Sequence, residues 1–135
     1  MIEYVRTVNT PNYAPETAYL EVAPTDENSG FTRGAVYTTS NGYVSKTVTK
    51  SAPKYVSLEE KLPGDGKSKL KCLRVYENML FVTAMDMDPA NLRVGSTVAF
   101  MNDTNDCAIT IGDTGDLAEI FEKLPGDTHA VIRFI

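Results

Sequence analysis

The sequence predicts an all-β fold: a compact small β-barrel or sandwich with quasi-repeated halves, an extended N-terminal arm and at most one short helix. Three observations carry this expectation. First, 42% of the 135 residues are hydrophobic, while 9 Gly and 7 Pro punctuate the chain and 7 Tyr and 5 Phe favour strands over long helices. Second, apolar residues alternate with polar ones in short runs separated by turn signals, the pattern of a barrel or sandwich. Third, Glu60-Lys61-Leu62-Pro63-Gly64-Asp65 recurs letter for letter as Glu122-Lys123-Leu124-Pro125-Gly126-Asp127. At nearly the same offset Gly34 and Val36 meet Gly95 and Val98, and Leu58 meets Ile120. Two copies are too few for a solenoid, so the echo points to a quasi-twofold β-domain.

Taken in order, residues 1–30 differ from the rest. Pro11, Pro15 and Pro24 interrupt short apolar pieces, and Thr25 to Gly30 is a polar run. Proline removes ladder donors, so this segment reads as an extended arm with at most an edge strand, and residues 31–135 as a single β-domain. Tyr4, Tyr13, Tyr19, Leu20 and Val22 are the arm's apolar anchors and the candidates for contact with a partner.

From Gly34 to Thr39 a strand is expected, and Ser40-Asn41-Gly42 is a strong hairpin turn before Tyr43 to Val48 returns. Pro53 ends that run ahead of Tyr55-Val56-Ser57-Leu58. Further strands are expected around Leu70 to Val75, Met79 to Val82, Arg93 to Phe100, Ala108 to Ile111 and Ala130 to Phe134. The two Pro-Gly-Asp pieces place Pro at i+1 and Gly at i+2 of type II turns. Residues 116–124 are ambiguous. Leu117, Ile120, Phe121 and Leu124 share a helical face, with Asp116 and Glu119 as a capping box, whereas the echo makes the segment a strand like 54–62. The echo favours a strand over 116–124.

The net charge is −5, but residues 1–75 carry +2 and residues 76–135 carry −7. Eight cations, from Lys46 through Lys50, Lys54, Lys61, Lys67, Lys69 and Lys71 to Arg74, face only Glu59, Glu60 and Asp65 in the same stretch. Such a stretch is ordinarily a solvated face, and it can also steer an acidic partner. Nucleic acid is a poor fit, because Tyr55 is its one stacking platform and the sequence pI is about 4.8. Oligomer contacts are therefore expected between Lys46, Lys50 and Lys54 of one subunit and the acidic loops containing Asp103 and Asp106 of the next. No apolar run approaches the ~20 residues of a membrane helix, and Met1-Ile2-Glu3-Tyr4 does not open a signal peptide. The expectation is a chain made and kept in the cytoplasm, with no membrane partner.

The sequence offers few residues for catalytic or metal chemistry. Cys72 and Cys107 have no neighbouring Cys or His, which argues for two reduced, buried thiols and against zinc or a C-x-x-C pair. Asp113-Thr114-Gly115 after an apolar strand matches the active-site loop of retroviral-type aspartic proteases. Gly112, Asp116 and the short remainder of the chain do not fit that family, so a polar turn is expected there. Asp86, Asp88, Asp103, Asp106, Asp113 and Asp116 are possible calcium donors, yet none follows the EF-hand spacing. His129 is the only histidine and Gly112 and Gly115 precede no Lys, so neither a triad nor a phosphate cradle can be assembled. The expectation is a binding or structural protein, not an enzyme, with no cofactor.

Read as a whole, Thr32-Arg33-Gly34-Ala35-Val36-Tyr37, the Asn41-Gly42 hairpin, Tyr55-Val56-Ser57-Leu58, Leu73-Arg74-Val75, Leu92 to Val98 and Val131-Ile132-Arg133-Phe134 resemble the small β-barrel head proteins of tailed bacteriophages. These are capsid decoration, or cement, proteins. The resemblance implies a structural virion protein on the outside of an icosahedral capsid, assembled in the host cytoplasm. Its partners would be the major capsid protein, whose neighbouring subunits it clamps, and its own copies, with a trimer favoured. No residue roles are carried over from the family. Two other readings stand beside it: a virion component elsewhere, such as a head-fibre base or tail protein, and a carbohydrate-binding β-module using Tyr37, Tyr43 and Tyr55.

Overall fold

A computed structural model of the chain describes residues 1–8, 15–86, 92–126 and 128–135, with the backbone alone at residue 113. It is all-β, with one short 3-10 turn among the described residues, at Pro24–Asp26. The strands are β1 (Glu3–Thr7), β2 (Thr17–Glu21), β3 (Val36–Ser40), β4 (Tyr43–Ser45), β5 (Tyr55–Ser57), β6 (Lys69–Arg74), β7 (Met79–Ala84), β8 (Thr97–Asn102), β9 (Ala108–Thr114), β10 (Ala118–Lys123) and β11 (His129–Phe134). They form one hydrogen-bonded network in the order β1-β7-β11-β10-β8-β9-β3-β4-β2-β6-β5, with β5 also pairing β3.

That extra pairing closes β3-β4-β2-β6-β5 into a ring of five strands. A second ring, β8-β9-β7-β11-β10, closes through the parallel bridge between Met85 and Ile111. The rings are built alike. In the first, β2 runs parallel to β4 at Glu21 and Tyr43 and antiparallel to β6. In the second, β7 is parallel to β9 at the Met85 bridge and antiparallel to β11. Their entry turns match bond for bond. Gly34 N–H donates to Ser57 O (2.9 Å) and Ser57 N–H to Ala35 O (3.0 Å); Gly95 N–H donates to Ile120 O (2.8 Å) and Ile120 N–H to Ser96 O (2.9 Å). Both glycines sit at positive φ, 73° and 90°, where a side chain would be strained.

The duplication expected from the hexapeptide echo is thus present, and it extends further towards the N-terminus than expected. The first ring begins at β2, inside the segment read as an arm, and β1 lies along β7 of the second ring. Residues 1–30 are extended, but their strands pair within the chain. The prolines do not prevent this, because Pro15 and Pro24 lie outside β2, where no ladder donor is required. The described parts of residues 1–30 therefore belong to the same folded body as residues 31–135.

Each ring has its own core. The first encloses Leu20, Val22, Phe31, Ala35, Tyr37, Val44, Tyr55, Leu70 and Cys72, closed off by Cys107. The second encloses Phe81, Val98, Ile111, Ala118, Ile120, Ala130 and Ile132. Strand alternation turns Val36, Val56 and Leu73 of the first ring outward, and there they join the second core together with Ile2 and Met79. One continuous apolar cluster therefore spans both rings and fixes one against the other.

Turn chemistry is largely as expected. Asn41 (φ 53°) and Gly42 (φ 82°) make the type I′ hairpin turn, and Gly64 (φ 70°) and Gly126 (φ 90°) occupy the left-handed position of the Pro-Gly turns. Residues 118–123 form a strand, because β8 and β11 offer both edges a ladder that an isolated helical turn lacks. Two expectations are corrected. The strand expected from Arg93 begins only at Thr97, since Gly95 turns the chain. Asp113 and Thr114 extend β9 and do not form a polar turn; Gly115 follows where a Cβ would lie 2.6 Å from the Cβ of Ala99.

Candidate binding site

The residues expected to anchor an arm in a partner are mostly used within the chain. Leu20 and Val22 are buried in the first core. Tyr4 packs edge-on against Phe81 at 5.9 Å, and its hydroxyl lies 2.8 Å from Thr7 Oγ1. Of the anchors, Tyr19 stands free, 61% exposed on β2, whereas Tyr13 lies outside the described residues.

Of the charges expected to meet between subunits, Lys46 and Asp103 lie near each other within one chain, Lys54 is engaged by backbone carbonyls, and Lys50 and Asp106 are exposed. Lys46 Nζ donates to the carbonyl of Asn105 at 2.7 Å and sits 5.0 Å from the centre of the Phe31 ring. Asp103 organises the adjoining turn. Its Oδ2 accepts from Thr32 Oγ1 (2.6 Å) and its Oδ1 from the N–H groups of Asn105 (2.8 Å) and Cys107 (3.0 Å). Asp106, at φ 58°, closes that turn by donating its N–H to Asp103 O. Lys54 is buried, its ammonium donating to the carbonyls of Lys50 and Ala52. Burial pulls the Lys54 pKa down, and the nearby charge of Asp116 opposes that. Lys50 remains exposed.

Burial alone would raise the Asp103 pKa, yet its hydrogen bonds and the nearby Lys46 hold it below the usual carboxylate range. A depressed folded pKa means stability that is present above the unfolded value of about 3.9 and is lost as pH falls through the folded value. Asp103→Asn is therefore expected to lower the denaturation midpoint at pH 7, with the gap to the native chain closing below about pH 4. Urea titrations at pH 7, 4 and 3 check this; a gap independent of pH would refute it.

The lysine-rich stretch is likewise not one solvated face. Lys61 is 1% exposed, and its ammonium donates to the carbonyls of Glu27 (2.7 Å), Leu62 (3.2 Å) and Ser29 (3.3 Å) beside Asp65. Nothing in the sequence marks it, since its neighbours Glu60 and Leu62 are both exposed.

What the fold does assemble is a cleft of about 620 Å³ where the two rings meet. Lys50, Lys54 and Arg74 come from the first ring, and Glu119, Arg133 and Phe134 from the second. Arg133 is paired with Glu119, and the Arg74 guanidinium lies 5.1 Å from the Tyr76 ring. Tyr76 is half-exposed and donates its hydroxyl to Glu16, a bond that holds its pKa above the ordinary value. Lys50 and Arg74, flanked by the apolar edges of Tyr76 and Phe134, can receive a carboxylate-bearing side chain. Sequence reasoning missed this grouping because Arg74 and Arg133 are brought together only by the stacking of the rings.

A sugar platform is not assembled from the expected tyrosines. Tyr37 and Tyr55 are buried in the first core, and only Tyr43 reaches the surface. The Tyr37 hydroxyl donates to Cys107 Sγ at 2.9 Å. Both cysteines are free and buried, and burial pushes the Cys72 thiol up to about 12, far from the thiolate form. Among the described residues no three Asp, Glu, His or Cys side chains converge on a point that could hold a metal ion. His129 is exposed and lies 2.9 Å from Thr128 Oγ1. Comparison with protein-family models, with curated proteins and with solved structures finds no match for the chain.

Proposed function

We propose that the chain is a structural virion protein that binds the outside of an icosahedral phage capsid and clamps neighbouring capsid subunits. The observation that carries this reading is the duplicated frame: two rings of the same topology, locked together by one shared core. A clamp on a repeating lattice needs two gripping surfaces at a fixed spacing, and a fused pair of like units supplies them. The net charge of −5 favours a protein surface over nucleic acid as partner, and among the described residues no helix is long and apolar enough to cross a membrane. In this reading the protein acts without catalysis or cofactor, assembles as a homo-oligomer with a trimer favoured, and reaches the capsid surface after synthesis in the host cytoplasm. Its partner is the major capsid protein.

The test is to add the purified chain to capsids assembled without it. Co-sedimentation is expected to saturate at a fixed ratio to capsid subunits and to raise the temperature at which the shell dissociates. Capsids that sediment without the chain would sink the proposal.

A further inference from the structure

The two rings differ at one edge. Through the matched entry turns, Ser57 corresponds to Ile120. Their cross-strand neighbours are Cys72 on β6 and Ile132 on β11, and the next neighbours across are Ala18 on β2 and Phe81 on β7. Residues 17–19 of β2 therefore occupy the place of residues 80–82 of β7. In the second ring that stretch is covered on its outer side by β1, with Glu3 opposite Val82, Tyr4 opposite Phe81 and Arg6 opposite Leu80. In the first ring the outer side of β2 is paired only at Glu21, with Tyr43 of β4, among the described residues.

The open stretch is competent to pair. Arg74 N–H donates to Glu16 O and Val22 N–H to Ser68 O, so the even-numbered residues of β2 turn their backbone groups towards β6. Alternation then points those of Thr17 and Tyr19 outward. Both residues are exposed, Tyr19 by 61%. A row of outward N–H and C=O groups on an exposed strand is a template for another strand.

We propose that the outer edge of β2, at Thr17 and Tyr19, takes up an extended strand of a partner polypeptide, antiparallel, as the equivalent edge of β7 takes up β1. The seating of β1 also defines the partner's chemistry. Tyr4 fills the space beside Phe81, and the position of Phe81 is taken by the much smaller Ala18 in the first ring. The incoming strand must therefore carry an aromatic or other bulky apolar side chain opposite Ala18, with small or polar residues on either side. Pairing with β2 of a second copy, centred on Ala18, sets alanine against alanine and leaves that space unfilled. The inference holds for any partner chain and does not depend on the capsid reading.

The probe is the end-blocked peptide Ile2–Val8 of this sequence, which carries the strand that fills the equivalent edge, added to the full-length protein. Amide exchange followed by NMR is expected to slow at Thr17 and Tyr19 on saturation. Tyr19→Pro removes an outward donor while leaving the bonds to β6, so it is expected to weaken peptide binding about tenfold with little change in melting temperature. Thr17→Pro provides the same reading if the first variant fails to fold. A peptide with Ala in place of its tyrosine, tested on the unaltered protein, is expected to bind about tenfold more weakly. No binding, equal binding by the proline variants, protection appearing on β7 through displacement of β1, or protection of β2 by self-association alone would each overturn the proposal.

Discussion

A chain lacking residues 2–30 is expected to lose its cooperative unfolding transition altogether. The deletion removes β2, the strand between β4 and β6, so the first ring can no longer close. It also strips Leu20 and Val22 from the first core, Ile2 from the second, and the carbonyls of Glu27 and Ser29 that the buried Lys61 ammonium bonds. Three buried aliphatic side chains are worth roughly 1.5–3 kcal/mol each. Their sum alone is comparable with the ~5–15 kcal/mol net stability of a typical domain, before the lost strand pairing is counted. Removing residues 2–7 alone is a milder change, because the second ring still closes at Met85 and Ile111, and a lower but cooperative melt is expected. Circular dichroism on heating distinguishes the two. A sharp transition from residues 31–135 alone would show that the arm is dispensable and would restore the boundary that composition suggests at residue 30.

That boundary shows where sequence and structure part. Local chemistry is readable: Asn41-Gly42 dictates its turn, Pro63-Gly64 dictates another, and alternation marks the strands from Val36 onward. The duplication is readable too, because six identical residues in a row survive in two places. What cannot be read is which edge each strand finds. β1 escapes notice because a bulge between Tyr4 and Arg6 breaks the alternation that would mark it, leaving Val5 exposed. β2 is legible as an apolar piece, but its neighbours β4 and β6 lie far along the chain, and prolines on both sides mimic a linker. The same holds for charge. Lys46 and Asp103 carry opposite signs, as an interface requires, but the hairpins that bring them together belong to one molecule. Tertiary pairing consumes groups that composition leaves free, which is why most of the expected contact residues fall inside the chain and the cleft residues Arg74, Tyr76 and Arg133 were not foreseen.

Lys61 and Lys123 hold the same place in the repeated hexapeptide, and their replacement by alanine is expected to have very different consequences. Lys61 has no exposed side-chain surface; it joins three carbonyls from residues 27, 29 and 62 and lies 3.6 Å from the Asp65 carboxylate. That carboxylate is anchored on the other side, chiefly by the N–H of Lys67 and also by that of Leu62, bonds that hold its pKa below the usual range. With Lys61→Ala the three carbonyls lose their common donor. Glu27 O keeps the N–H of Gly64 and Leu62 O that of Asp65, so of these bonds only Gly64–Glu27 still ties the turn at residues 24–29 to the 61–65 turn, and Ser29 O loses its Lys61 donor. Leaving a buried acceptor without its donor costs about 1–3 kcal/mol, to which the lost packing of the Lys61 methylenes adds. Lys61→Met retains the packing volume and is expected to recover part of that loss, leaving the missing ammonium bonds to the carbonyls as the remainder. Lys123 is half-buried, and Lys123→Ala is expected to cost less than about 1 kcal/mol, as for a partly solvated charge. Urea denaturation of the three variants beside the native chain measures the differences. Equal costs at positions 61 and 123 would mean that the ammonium of Lys61 is replaceable by water, and that packing of its methylenes, and not the three carbonyl bonds, holds the two turns together.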